Sequence, residues 1–488
     1  MKNSTSTFMF PALSRCFFLL TLVASWPAFA SGQTSPDTGW PNYGNDPGGT
    51  RYSPAKQIDR GNVAQLQVAW TYHTGALPND EDLDKKAAFE ATPILIEGKL
   101  FLSTPYDHVI ALSAVTGAKL WEFDPKLEHP YGFSEVTSRG VSAWRDASAK
   151  SGKPCALRIL IGTLDARLIA LDGETGKPCK DFGMDGEVDL KADVRMRDPG
   201  DYQVTSAPAI YKDLVITGSS EGDNRAVTLE RGIVRAFDVR TGALRWTWDP
   251  IAPWAYQNTP RTGAGNAWST LSVDAPRDLV FIPTGSASPD YYGGFRKGDN
   301  KWANSVVALK ASTGEFVWGF QVVHHDLWDY DVASQPALFN WKDGTPAIAI
   351  TTKMGRVFVL NRLNGAPLLP VEERPVQKSD IPGEESWPTQ PASTISLVPE
   401  KLSPDDAFGV NDKEREWCAE KIKAARYGDI FTPPSLQGTL VFPSNVGGVN
   451  WGSAAYDPQR HLLFVDTNRL PILVKMIPQA ELADARKN

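Results

Sequence analysis

The chain has 488 residues, with 50 Lys and Arg set against 57 Asp and Glu, for a formal net charge of −7. That balance gives no hint of nucleic acid or of an anionic membrane as partner, so no nucleic-acid partner is expected. With 16 Trp, 40 Gly and 37 Pro, the composition favours many short strands joined by tight turns over long helices.

Residues 1–30 read as a secretory signal. Lys2 and Arg15 supply positive charge, Cys16–Val23 is an apolar run too short to span a bilayer, and Ala28-Phe29-Ala30 forms a small-x-small cleavage site. The mature chain, residues 31–488, is therefore expected in an exported, periplasmic setting. Export permits disulfides. Of the four cysteines, Cys16 lies in the signal. Cys155 and Cys179 flank two predicted strands with a turn between them, so a Cys155–Cys179 bridge is expected and Cys418 is left unpaired. No Cys-x-x-Cys-His occurs, so no covalent haem is encoded.

From Val109 onward one pattern recurs: an alternating strand, a polar-x-x-Thr-Gly turn, then often a Trp. Its copies run Val109–Trp121, Leu168–Gly176, Val234–Trp246 and Val306–Trp318, with a weaker one at Val357–Gly365. A period of this size marks a propeller or solenoid. Each unit ends its strand in a turn where Gly tolerates positive φ. Four-stranded sheets of this kind stack radially because none buries both faces alone. Further strands are predicted before each copy, around Ile94, Ile159, Ala209, Val280 and Ile348, and the repeated Trp is expected to dock between neighbouring sheets. The stretch 387–426 departs from the pattern. It is Pro-rich, then charged and helix-like over 412–426, and reads as an insertion over one face.

The densest chemistry lies between Val322 and Gln335, where His324, His325, Asp326, Asp329 and Asp331 surround Trp328. So many titratable groups on one loop destabilise it unless they are paired or hold a metal. About twenty residues on, Lys353 precedes another strand. These segments resemble the catalytic region of the pyrroloquinoline quinone (PQQ) dehydrogenases. Two further stretches carry the same likeness, Trp40–Pro54 and Phe431–Asn445, and the Trp copies resemble that family's docking motif. The similarity is greatest to the membrane-bound quinoprotein glucose and quinate dehydrogenases, without their membrane anchor. It implies an all-β propeller, eight-bladed in the family. Five copies and strands for about one more blade leave the C-terminal blades to be found outside this sequence or on a second chain completing the ring.

The resemblance also implies roles. Asp329 matches the base that takes the hydroxyl proton, with Asp326 and Asp331 as alternatives at the same place. Lys353 matches the cation facing the quinone oxygens. Trp268 matches the aromatic floor, and Arg139, Thr205, Glu90, Ser220 and Gly222 match further cofactor contacts; Asn450 and Trp451 are expected near the pocket. A metal, Ca²⁺ or another divalent or lanthanide ion, is expected on Asp223 and Asp329, with Ser288 at the third position, where methanol dehydrogenases have Asn. Glu135 replaces a family His, Ser138 replaces a Cys and Asp466 replaces an Asn, which leaves the substrate open. The expected reaction is oxidation of a sugar, polyol or other alcohol, with ubiquinone or a separate c-type cytochrome as electron acceptor. A second reading is a non-catalytic propeller serving as a binding or assembly module. It shares the repeat, but predicts a lipoprotein cysteine and no Asp/Lys pair facing a quinone.

Overall fold

The computed structural model describes residues 39–76, 87–127, 132–150, 152–222, 225–227, 230–251 and 262–487. The expected signal at 1–30 and the candidate ligand Asp223 lie outside these residues. Among the described residues no helix is long and apolar enough to cross a membrane.

Five four-stranded sheets follow one another along the chain. The first contains Ile94–Ile96, Lys99–Ser103, Val109–Ser113 and Lys119–Phe123. The second runs from Ser142–Arg145 to Glu187–Asp189, the third from Ala209–Tyr211 to Leu244–Trp248 and the fourth from Ser272–Asp274 to Phe316–Gln321. Each is antiparallel throughout, as a strand with one apolar face and tight turns dictates. The fifth starts at Ala337–Asn340 and closes with Ile395–Ser396, which pairs with Arg356 and Val357. Before closing, the chain makes a separate hairpin of Val371–Pro375 and Thr389–Ser393. The departure expected over 387–426 is therefore narrower than the sequence suggests, because 389–396 are strands. The helix lies at Asp412–Ala424, capped by the Asn411 side chain on the Glu414 N–H. Beyond it, Thr439–Val441 pairs with Ile472–Val474, and Ala454–Asp457 with Leu462–Val465. The Cys155–Cys179 disulfide is formed, with the Cα atoms 5.9 Å apart.

The tryptophans lock consecutive sheets as the repeat requires. The Trp121 indole N–H donates to Gly173 O at 3.1 Å, Trp246 to Ala311 O at 3.0 Å and Trp318 to Arg362 O at 3.1 Å. Each ring lies on the Gly of the next sheet's turn. A Cβ on Gly176, Gly314 or Gly365 would come within 2.5–2.7 Å of the ring, and all three have φ of 70–74°. Gly is needed there for conformation and for space alike. Trp70, which follows no Thr-Gly turn, caps the first sheet in the same way through Ala114 O at 3.2 Å. The second sheet has no such Trp. Its junction with the third is closed by Arg158, which donates to Arg240 O, and by Gly242 packed on Gly183 and Val188.

The first strands of successive sheets lie side by side, so they form the inner wall. Ser142 donates to Pro208 O and Ser272 to Pro336 O at 2.5 Å, each bonding to the segment that leads into the next inner strand. These leading segments hold the candidate site residues, as shown below.

Replacing Trp246 by Ala removes both the ring and its bond between the third and fourth sheets. The expected cost is about 3–5 kcal/mol, read as a lower melting temperature, with Trp246→Phe keeping most of the packing and losing less.

Candidate active site

Each inner strand is entered from the same end, and the residues just before it converge. Glu90 precedes Ile94, Arg139 precedes Ser142, Thr205 precedes Ala209, Trp268 precedes Ser272, Asp331 precedes Ala337 and Trp451 precedes Ala454. The Arg139 guanidinium lies 4.8 Å from the centre of the Trp268 ring and 5.9 Å from that of Trp451. It also bonds Thr205 Oγ1 at 2.7 Å and pairs with Glu90 at 2.9 Å. Its Nε is buried and has no hydrogen-bond partner. Burial raises the Glu90 carboxyl above its ordinary range; Arg139 opposes this and the nearby Glu135 adds to it.

Trp268 also stands beside the ion-pair centre. Lys353 Nζ lies 3.0 Å from Asp329 Oδ1, 2.6 Å from Asp331 Oδ2 and 5.7 Å from the centre of the Trp268 ring. Asp331 also accepts the Trp268 indole N–H at 3.1 Å and the Ser286 backbone N–H at 2.7 Å. The loop reaches this geometry by alternation. Leu327, Trp328 and Tyr330 are buried in the core, where Trp328 donates to Thr432 O and Tyr330 to Ile430 O. Asp329, at φ 61°, and Asp331 then turn toward Lys353. Asp takes left-handed φ more readily than branched residues do. Asp326 is used structurally, accepting the N–H groups of Trp328 and Tyr330 and the amide of Asn304. Gly447, at φ 80°, packs on the Lys353 stem, where a Cβ would come within 2.7 Å.

The carboxyl groups here are driven apart. Burial works to raise Asp331, but the charge and hydrogen bond of Lys353, with the Ser286 and Trp268 N–H groups, hold it below the usual range. Burial raises Asp326 despite its bonds to Ser286 and Trp328. Burial and the charges of Asp331 and Asp326 raise Asp290 to about 7. Tyr291 is pushed upward by burial and by the charges of Asp329 and Asp290. Asp290 and Tyr291 were not among the residues singled out from sequence. The signal was weak, an Asp directly after the Ser288-Pro289 stretch that reads as an ordinary turn.

Other candidates bond elsewhere. The Ser288 hydroxyl donates to Val227 O at 3.2 Å. The Asn450 amide bonds Val446 O and the Trp451 N–H, which shapes its own loop. Ser220 pairs with Gln203 in a two-stranded sheet beside Thr205. Gly222 sits against Asp201, where a Cβ would come within 2.6 Å of the carboxylate. Ser138 bonds Ser103 at 2.8 Å. Among the described residues no three acidic or imidazole ligands converge within 4.8 Å at this centre. The one convergence, Cys155, Cys179 and Asp181, has its sulfurs in the disulfide. The chemistry of the buried oxygen donors still suits a hard cation. Two indoles, Lys353 and an open Arg139 Nε suit a flat, multiply anionic ligand.

Residues 40–488 match the family model described as "Glucose/ethanol/alcohol dehydrogenase, beta-propeller domain", whose label names PQQ. The chain is 38% identical over 469 residues to quinoprotein glucose dehydrogenase A of Acinetobacter calcoaceticus, covering 91% of this chain and 58% of that protein. It is 37% identical over 465 residues to the quinate/shikimate dehydrogenase (quinone) of Acinetobacter baylyi, covering 90% and 57%. The chain thus spans somewhat under three-fifths of the length of these curated relatives. Among solved structures it is similar to the quinohemoprotein alcohol dehydrogenase of Comamonas testosteroni, with a TM-score of 0.65 and 25% identity, covering 89% of this chain and 58% of that one.

The titration pattern has a consequence for the ligand-free protein. Between about pH 4 and about 7 the fold retains the Asp290 proton that the unfolded chain has already lost. The native state then binds more protons, so stability falls as pH rises through that window. Asp331 has the opposite sign, but loses its contribution only below the ordinary carboxylate range. The melting temperature is expected to be higher near pH 5.5 than near pH 7.5, and Asp290→Asn should shrink that difference.

Proposed function

Because the chain belongs to the PQQ glucose/ethanol/alcohol dehydrogenase β-propeller family, we propose that it is a quinoprotein oxidoreductase acting on a sugar, polyol or other alcohol. The observation that carries this reading is the buried Asp329–Lys353–Asp331 bridge beside the Trp268 ring. PQQ, when bound, supplies the two-electron acceptor for the hydride of the substrate's carbinol carbon. The remaining work falls to residues of this chain. Asp329 accepts the hydroxyl proton. Lys353 fixes a negative oxygen without reorganising, because its ammonium is already held by two carboxylates. Asp331 sets the Lys353 position and orients the Trp268 indole through its N–H. Arg139, with Nε open, takes a carboxylate of the ligand, and Trp268 with Trp451 supplies apolar faces.

A divalent ion, with Ca²⁺ the first choice, is assigned to Asp329, Asp223 and Asp290. Asp290 replaces Ser288 in this reading because burial, and then the charges of Asp331 and Asp326, raise its carboxyl, a penalty that a bound cation would relieve, whereas the Ser288 hydroxyl already serves Val227. The relatives named for glucose, quinate or shikimate and glycerol span neutral polyols and a hydroxy acid, so the substrate class stays at the alcohol. Export to the periplasm, with ubiquinone or a separate c-type cytochrome as electron acceptor, belongs to the same proposal.

The test is reconstitution of the purified protein with PQQ and Ca²⁺, followed by dye reduction against a panel of sugars, polyols and alcohols. PQQ-dependent turnover is expected. Asp329→Asn should lower kcat by about 10²–10⁴-fold while tryptophan quenching by PQQ persists. Trp268→Ala should weaken that quenching instead. Turnover without PQQ, or full turnover by Asp329→Asn, would overturn the reading.

A further inference from the structure

The two imidazoles that open the central loop have no part in the chemistry above, yet the fold invests heavily in them. His325 is buried, with a side chain 0% exposed, and its partner Glu384 is 2% exposed. His325 Nδ1 lies 2.8 Å from Gly298 O, and Nε2 lies 2.6 Å from Glu384 Oε1. Both neighbours are acceptors. A neutral ring would turn one bare nitrogen lone pair against an oxygen, whereas a ring with a proton on each nitrogen satisfies both. The second oxygen of Glu384 accepts the Gly293 N–H. Burial works to raise the Glu384 carboxyl, but His325 and Arg296 keep it low. Gly293 leaves room for the ring, since a Cβ there would come within 2.2 Å of His325 Nε2.

The pair joins three segments. His325 belongs to the loop that carries Asp329 and Asp331. Gly293 and Gly298 belong to the 289–300 loop that carries Asp290 and Tyr291. Glu384 belongs to the hairpin excursion between 371 and 393. His324 ties the same excursion from the outside. Its backbone exchanges two hydrogen bonds with the Gln390 side chain, at 2.8 and 2.6 Å, and its ring spans Gln321 and Glu373.

We propose that His325 is a positioning residue, held doubly protonated between Glu384 and Gly298 O, and that this clamp sets the loop bearing Asp329 against the loop bearing Asp290. Other charges face the clamp. On the 289–300 loop, Arg296 is buried and reaches Asp326 O, and Asp299 accepts the His325 N–H through its backbone. On its own loop, Asp326 turns away to Ser286 and Asn304. On the excursion, Glu385 pairs outward with Lys297. Glu384 is thus the carboxylate that His325 meets directly.

The proposal rests on the dehydrogenase reading for its catalytic consequence, but not for its protonation claim. The sequence has six histidines, so ring ¹⁵N shifts of histidine-labelled protein, assigned with His325→Gln, are readable. Protons on both ring nitrogens of His325 are expected in the wild type, and a ring with one bare nitrogen in Glu384→Gln. In the PQQ-loaded protein, His325→Gln and Glu384→Gln should lower kcat on the order of 10²-fold, as expected for a small misplacement, with KM little changed. Glu384→Asp should restore part of the loss. A bare nitrogen at His325 in the wild type overturns the proposal. So do variants that melt earlier but keep kcat at a temperature where they are folded. If the wild type shows no PQQ-dependent turnover, the dehydrogenase reading fails, and the nitrogen shifts still decide the clamp.

Discussion

The site depends on one buried ammonium. Lys353 sits between Asp329 and Asp331 with all three side chains under 10% exposed. Removing these charges from water costs several kcal/mol per ion, and their attraction offsets that only with close geometry and further hydrogen bonds. Asp331 has those bonds from Ser286 and Trp268. Such an arrangement adds little to stability compared with an apolar core of equal volume. It makes sense as a charge pattern held ready, with an ammonium fixed before any ligand arrives. The surrounding fold must then hold three chain segments in fixed register: the 322–335 loop, the turn at 352–355 between two strands and the 447–448 turn.

The propeller does this by division of labour. Outer strands and turns carry the stability, through Trp rings seated on Gly turns at four junctions. The segments leading into the inner strands carry the chemistry. Because each blade contributes one such segment, residues from 90 to 451 meet around a single axis, although they are separated by hundreds of positions in sequence. The Trp328 and Tyr330 rings do the same at smaller scale. They anchor alternate positions of the central loop in the core under Phe431, which forces Asp329 and Asp331 to the other side.

Much of this was legible in the sequence because it is periodic. All five turns predicted from the repeat are formed with positive φ at Gly117, Gly176, Gly242, Gly314 and Gly365, including the weak copy at Val357–Gly365. The convergence of Arg139, Trp268, Asp329 and Lys353 followed from motifs dense enough to be recognised. What escaped had no periodic or compositional mark. Trp70 docks without a preceding repeat. The second sheet replaces a Trp with the Arg158 contact. Strand 395–396 closes a blade after a detour of some thirty residues, so a Pro-rich stretch looked like insertion. Asp290 was hidden for a different reason. An Asp in a Pro-Asp-Tyr turn is unremarkable until burial, a property of the fold and not of the string, surrounds it with Asp326 and Asp331.

That burial separates the acids into kinds. Asp331, held by a cation and three N–H or ammonium donors, is ionised across the working range. Asp290, on the next loop, lies near neutrality. Carboxyls whose environments push them apart are how a protein keeps a proton acceptor and a proton-bearing group within one cavity. Here the same Lys353 charge that depresses Asp331 also lowers Asp290, though too weakly to overcome burial and two negative neighbours. A further positive charge near Asp290 would favour its ionised form. The centre therefore holds one carboxyl kept ionised, Asp331, and one kept near neutrality, Asp290.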